Sequence, residues 1–246
     1  MKTELKVELL AVTPNAEALV AAAMKQCTTS GYAAEFFDSF KGPFVGWETV
    51  HKFILSVLSS GHESPIEHVA FTFAISGVSR ALSHQLVRHR IASYSQQSQR
   101  YVDANGFYYI MPPYIEAIPE ARKLFVEEME RINATYEMLQ IILREHGYEK
   151  TANEDARFVL PNACETRLVF TMNARELLHF FSLRCCNRAQ WEIRNMAMLC
   201  LEQAEAAVPV LFQNAGPRCV LLGKCPEGAR SCGKMWQRPS ETTKES

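Results

Sequence analysis

The chain has 246 residues, 48% of them apolar and 22% charged, an ordinary globular composition with room for a sizeable core. A formal net charge of -1 argues against general nucleic-acid binding, which usually needs a strongly basic chain. No apolar run reaches the length of a membrane span, and Lys2, Glu4, Lys6 and Glu8 break up the N-terminus, so it does not read as a signal peptide and the cytoplasm is the expected location.

Leu5 to Val12 alternates in part and carries β-branched residues, as a first strand would. Thr13 and Pro14 read as the cap and first position of an alanine-rich helix reaching about Lys25. Gly31 to Gly46 holds Phe36, Phe37, Phe40 and Phe44 in irregular order and is expected as loop or short helix. Trp47 to Leu58 returns to helical period, with Val50, Ile54, Val57 and Leu58 on one side. In the run Gly61-His62-Glu63-Ser64-Pro65-Ile66-Glu67-His68, Ser64 precedes Pro65 and stands three residues before Glu67, the form of a capping box. Val69 to Ile75 is a strand by alternation and leads through Gly77 into a helix from Val78 to His89.

On that helix Val78, Ala81, Leu82 and Leu86 mark an apolar side, while Arg80, His84 and Arg88 stand four apart on another. Arg90 and Arg100 continue the local concentration of positive charge. Between them run Ser93, Ser95, Gln96, Gln97, Ser98 and Gln99, a polar stretch without apolar period, expected as loop or irregular turn. Forked guanidinium donors beside amides and hydroxyls suit a phosphorylated polar molecule. A solvated basic helix end running into a polar loop has the same composition, and charge alone does not separate the two.

Phe107 to Met111 is expected as a strand closed by Pro112-Pro113, and Pro119 to His146 as a long helix ended by Gly147. Ala152 to Leu160 is a short helix containing Arg157, and Cys164 to Met172 a strand. Asn173 then caps the helix ARELLHFFSLR, on which Arg175 and His179 share a face, and the apolar face of Leu177 and Phe181 ends in Arg184. Gln190-Trp191-Glu192-Ile193 opens a last long helix to about Ala207. The eight cysteines read as reduced thiols. Cys219, Cys225 and Cys232 lie among Gly, Pro and Lys, but a structural zinc site usually needs four ligands and often a close pair, so no metal site is expected. Residues 239–246 are expected to be disordered.

Arg88-His89-Arg90, seven residues, then Ser98, resembles the RHR-x7-S signature of the flavin-dependent thymidylate synthases. The flanks Ser83 to Val87 and Gln99-Arg100-Tyr101 are similar too, as are the GHxSxxEH segment from Gly61 to His68 and the second-half pattern RFVLP, NAR, LR, AQWEI. The resemblance implies reductive methylation of dUMP to thymidylate, with methylenetetrahydrofolate as one-carbon donor, FAD as hydride carrier and NADPH as reductant. It implies that Ser64, Arg88, His89, Arg90, Gln96, Asn173, Arg175 and His179 hold FAD. It places Gln85, Arg88, Gln96, Gln97, Ser98, Gln99, Arg100, Arg157 and Arg184 at dUMP, His62 towards the folate, and Arg184 as the catalytic cation. It further implies a homotetramer with active sites shared between subunits. Gln96 stands where many relatives have Glu, which removes a charge, and His179 where some have Asn.

The expected fold is a single α/β (α+β) domain over residues 1–238, with a mixed or antiparallel sheet flanked by long helices. There is no GxGxxG and no Walker lysine motif. Two other function classes stand beside this one. One is a non-catalytic nucleotide- or RNA-binding protein using the same arginines. The other, a folate-dependent thymidylate synthase with a cysteine nucleophile, lacks support, because no cysteine stands in a context resembling that family.

Overall fold

The structure is a computed structural model describing residues 3–42 and 45–236. The expectations for Phe44 and for residues 239–246 fall outside that range. The fold is a single mixed helix–strand domain with one antiparallel sheet, as the sequence implied. Its strands are β1 (Lys6–Val12), β2 (Ala70–Ser79), β3 (Ala92–Gln96) and β4 (Glu165–Asn173), in the spatial order β1-β2-β4-β3. The helices among the described residues are α1 (Ala16–Gln26), α2 (Ala33–Lys41), α3 (Trp47–Ser59), α4 (Arg80–Leu86), α5 (Pro113–Ala117), α6 (Pro119–Glu145), α7 (Ala152–Ala156), α8 (Ala174–Arg184), α9 (Trp191–Ala207), α10 (Pro209–Phe212) and α11 (Arg218–Leu222).

Two compact units can be separated within the domain: residues 3–6, 74–88 and 94–169, and residues 7–42, 45–73, 89–93 and 170–236. In the first, α6 packs with α5 and α7. Phe107, Met129 and Cys164 form a buried cluster covered by Tyr109, Phe125, Ile132 and Leu160. Gln140 is fully buried on α6 and is satisfied there, as a buried amide must be. Its Nε2 donates to Tyr136 Oη at 2.9 Å and Asn153 Oδ1 at 2.6 Å, and its Oε1 accepts from Asn105 Nδ2 at 2.9 Å.

The second unit has the larger apolar core. The buried alanines of α1 (Ala18, Ala21 and Ala22) let α2 and α3 pack close to it. On α8, Leu177, Phe180 and Phe181 are buried, and α9 answers with Ile193, Met196, Ala197 and Cys200 at helical spacing. The rings of Phe71 and Phe181 meet Phe212 edge-on at 5.2 and 5.9 Å, and Phe73 stacks on Phe170 at 5.3 Å.

Several elements differ from expectation. Helix α1 starts at Ala16, not Pro14, because Asn15 takes the left-handed conformation at φ 52°, which Asn tolerates. The aromatic Gly31–Gly46 stretch does contain a short helix, one of the two forms expected for it: α2, with no buried residue. Ser64–His68 is a 3-10 turn in which Ser64 makes no capping bond; the carboxylate of Glu67 is engaged elsewhere. Strand β2 runs past Ile75 to Ser79, whose Oγ accepts from Leu82 N at 3.0 Å and so starts α4 at Arg80. Helix α4 stops at Leu86, so Arg88, His89 and Arg90 lie beyond it and Arg88 shares no helical face with Arg80 and His84. The Leu86 carbonyl left open there accepts from Tyr94 Oη at 2.8 Å. Residues Ala92–Gln96, expected as loop, form β3. Last in the sheet order, this strand needs backbone pairing more than an apolar face, and a polar strand has no hydropathy period. Phe107–Met111 makes only one bridge, Tyr109 to Cys164, since Pro112 and Pro113 have no N–H to extend it.

Candidate active site

In the second unit α8 carries most of the candidate residues. Asn173 Oδ1 accepts from Glu176 N at 2.9 Å, so its side chain caps the helix as the sequence suggested. Arg175 and His179 lie on the exposed side, and Glu176, Leu177, Phe180 and Phe181 on the buried one. Arg184, the last residue, is half-buried and favoured by the negative end of the helix dipole.

Three polar side chains meet where Arg184 stands. Its Nε donates to His89 Nε2 at 3.1 Å, and His89 Nδ1 lies 3.1 Å from Glu176 Oε1. A guanidinium has only donors, so Nε2 must accept and the proton of a neutral ring must sit on Nδ1, donating to Glu176. His89 is only 5% exposed and Glu176 7%. Burial, then the charge of Arg184, then His179, pushes the His89 pKa down to about 4, and the ring is neutral at neutral pH. Burial raises the Glu176 pKa, with His179 opposing. The His89 ring stands edge-on to Phe180 at 4.9 Å. Sequence reading missed Glu176. Its signal was a carboxylate on the buried stripe of α8, three residues after the cap and four before Phe180.

Arg175 is held between two carboxylates: Nη1 donates to Glu67 Oε1 at 2.5 Å, and Nε lies 3.3 Å from Glu63 Oε2. The bond to Glu67 raises its pKa. These residues line a cavity of about 640 Å³ with Asn173, His179 and Glu176, and apolar Ile91, Leu178 and Leu221. One guanidinium, an imidazole and an amide stand there with the carboxylates of Glu63, Glu67 and Glu176 beside apolar walls, and the volume is that of a ligand site. Asn173, Arg175 and His179 are thus brought together, with the buried His89 ring 6.0 Å from that of His179. His62, Ser64 and Arg90 are exposed and do not line this cavity.

In the first unit, Gln97, Ser98 and Gln99 line a cavity of about 200 Å³ with Cys164, Glu165, Thr166 and Arg167. Gln97 N donates to Arg167 O at 2.9 Å, which pins the loop. Gln96 Nε2 donates to Thr166 Oγ1 at 3.0 Å, and Ser98 Oγ accepts from Arg100 N at 3.2 Å. Arg100 pairs with the Glu154 carboxylate at 2.9 Å, and Arg157 Nε donates to the Glu154 carbonyl at 3.2 Å. Gln85, Arg88, Gln96, Arg100 and Arg157 are not part of the cavity lining. Arg88 is exposed and Gln85 half-buried.

Apart from the exposed Cys27, the cysteines divide into two sets. Burial pushes the thiol of Cys164 up to about 11 and that of Cys185 to about 12, and raises that of Cys200 well above its ordinary value. Such thiols stay protonated at neutral pH and are poor nucleophiles. Cys186 joins Cys219, Cys225 and Cys232 around a cavity of about 500 Å³ that Arg184 also lines. Among the described residues no three His, Cys, Asp or Glu are grouped as in a metal site. No described helix is long and apolar enough to cross a membrane.

Comparison with known proteins adds a family. Residues 8–210 match the family model described as thymidylate synthase complementing protein. The flavin-dependent thymidylate synthase of Nitratidesulfovibrio vulgaris is 51% identical over 241 residues, covering 97% of this chain and 98% of that one. The protein of the same name from Clostridium tetani is 51% identical over 238 residues, 93% of each chain. Among solved structures, a UMP/dUMP methylase, PolB from Streptomyces cacaoi, bound with 5-Br dUMP, matches the fold. Its TM-score is 0.69 at 22% identity, covering 91% of this chain and 96% of that one.

Proposed function

The chain belongs to the flavin-dependent thymidylate synthase family, and on that footing we propose that it methylates dUMP to thymidylate, with methylenetetrahydrofolate as one-carbon donor, FAD as the flavin and NADPH as its reductant. The observation that carries the reading is the 51% identity along nearly the whole chain. Asn173, Arg175 and His179 would hold the flavin, with Ser64, Arg88, His89, Arg90 and Gln96. Reduced flavin, when bound, supplies a hydride. Gln97, Ser98 and Gln99 would bind the nucleotide through amides and a hydroxyl, with Gln85, Arg88, Gln96, Arg100 and Arg157, while His62 would face the folate. Arg184 is the catalytic residue of this reading. A fixed guanidinium beside the uracil favours ionisation at N3 and shifts electron density toward C5, which must become nucleophilic. The raised thiol pKa values of Cys164, Cys185 and Cys200 give no support to a cysteine route. We propose one domain over residues 1–238, assembled as a homotetramer whose active sites draw on more than one subunit.

The test is direct. Purified protein should be yellow or bind added FAD, run as four chains by light scattering, and form thymidylate from dUMP, methylenetetrahydrofolate and NADPH. A folded protein without FAD affinity or thymidylate formation overturns the reading.

The carboxylates on Arg175 make a second expectation. They occupy donors that an anionic flavin would use, so Glu67→Gln should tighten FAD binding. Exposed ion pairs are weak and screened by solvent, so the gain should be small, severalfold at most in Kd by fluorescence titration. A weaker Kd would mean that Glu67 holds Arg175 in its binding pose rather than competing for it.

A further inference from the structure

We infer that Glu176 is a positioning residue for Arg184: through the buried His89 ring it selects the Nδ1–H tautomer, and that tautomer presents an acceptor to the guanidinium. The inference rests on the reading of Arg184 as the uracil-facing cation, but its structural part stands on the chain alone. The three groups form one line, carboxylate to Nδ1–H and Nε2 to Nε–H, each step 3.1 Å. Both ends of the line belong to α8, Glu176 in its first turn and Arg184 at its last residue, while His89 comes from the segment after α4. The ring is held edge-on against Phe180, so its orientation is set by packing and only its tautomer is left to choose.

The choice matters because the two tautomers are opposite at Nε2. With the proton on Nδ1, Nε2 offers a lone pair and Arg184 Nε–H points at it. With the proton on Nε2, two donors face each other at 3.1 Å and the guanidinium must swing away. A carboxylate on Nδ1 decides the matter by hydrogen bonding, the device that fixes imidazole orientation in other active sites. A buried carboxylate is otherwise a poor residue for the core-facing side of a helix. Among the described residues the Glu176 carboxylate pairs with this ring, not with a lysine or arginine.

Glu176→Ala removes the acceptor at Nδ1, and Glu176→Gln returns one through its side-chain carbonyl. Protein with 15N-labelled histidine reports the ring nitrogens of His89, identified by their absence from the spectrum of His89→Gln protein. The wild type should show Nδ1 protonated and Nε2 bare. Glu176→Ala should move population to the Nε2–H form, and Glu176→Gln should restore the wild-type pattern. In turnover, Glu176→Ala should lower kcat on the order of tenfold to a hundredfold, as loss of an outer partner does elsewhere, with the KM for dUMP within about twofold. Glu176→Gln should recover most of that kcat. A merely structural role predicts a lower melting temperature for Glu176→Ala with the tautomer unchanged, and that result overturns the inference. So does a wild-type ring found in the Nε2–H form. The NMR arm needs no substrate, so it can succeed even if Arg184→Ala retains thymidylate formation, an outcome that would count only against the catalytic role proposed for Arg184.

Discussion

Arg184→Ala is expected to lower thymidylate formation about 10²–10³-fold while the protein still binds FAD. The magnitude is that of removing one preorganised charge aimed at a developing anion in a site that excludes water. Three features of Arg184 favour that proposed role. It is half-buried, it ends a helix whose dipole favours a cation, and its Nε is held by His89 at 3.1 Å rather than left to wave in solvent. Arg184→Lys should recover little, because a lysine amine has neither the fork nor the Nε–H that His89 accepts from. Two comparisons make the result diagnostic. Ser98→Ala should keep measurable turnover, since Ser98 Oγ accepts from the backbone N–H of Arg100, a turn contact and not activation by a base. The eight single Cys→Ser variants should each keep turnover, Cys164→Ser included, although Cys164 lines the same small cavity as Ser98. Its thiol, pushed up to about 11, is almost wholly protonated at neutral pH. If any one of these cysteine variants loses turnover while keeping its fold and both ligands, ionisation by Arg184 is not the mechanism and a thiol nucleophile must take its place. The measurement is initial rate with reduced flavin present, beside FAD titration of the same samples.

What could be read in advance depended on whether a residue's role was written in its own neighbourhood. Strands β2 and β4 and helices α3, α6, α8 and α9 carry apolar side chains at the spacing of their own secondary structure, because each buries a face. Strand β3 carries Ser and Gln instead, and a strand held mainly by backbone pairing leaves no hydropathy period to find. The RHR segment was recognisable as a motif, yet its geometry was not. Leu86 ends α4 three residues early, and His89 is buried while Arg88 and Arg90 face solvent. Similarly, Asn173 was legible as a cap because capping is local, three residues away. The partners of Arg175 and Arg184 were not, since Glu67 is 108 residues from the first and His89 is 95 from the second. Pairings across such distances are fixed by tertiary packing, and one sequence holds no record of them. The capping box at Ser64 shows the same limit from the other side. Its local signal was correct in form, but Glu67 found a stronger partner in a guanidinium than in a backbone N–H.

Gly77→Ala is expected to destabilise the fold by about 2–4 kcal/mol. Two costs combine. Gly77 sits at φ 68°, where an L-residue pays about 1–2 kcal/mol in backbone strain. The added Cβ would also stand 1.8 Å from the carbonyl oxygen of Glu4 and 2.4 Å from its carbon. The obstacle is backbone, so no side chain can rotate aside, and either residue 4 or β2 must shift by more than an ångström. The position is further constrained because Gly77 N donates to Glu165 Oε1 at 3.1 Å, tying the bend to the first residue of β4. Gly106 separates the two costs. It has φ 66° in the same unit, and a methyl added there would meet nothing within 4 Å, so Gly106→Ala carries the strain without the collision. Thermal unfolding should therefore show a drop of a few degrees for Gly106→Ala and of roughly 5–15 °C for Gly77→Ala, at about 2–4 °C per kcal/mol for a chain of this size. Equal shifts for the two variants would mean that the segment before β1 yields freely at Glu4 and that only the backbone conformation, not the close approach, requires glycine at position 77.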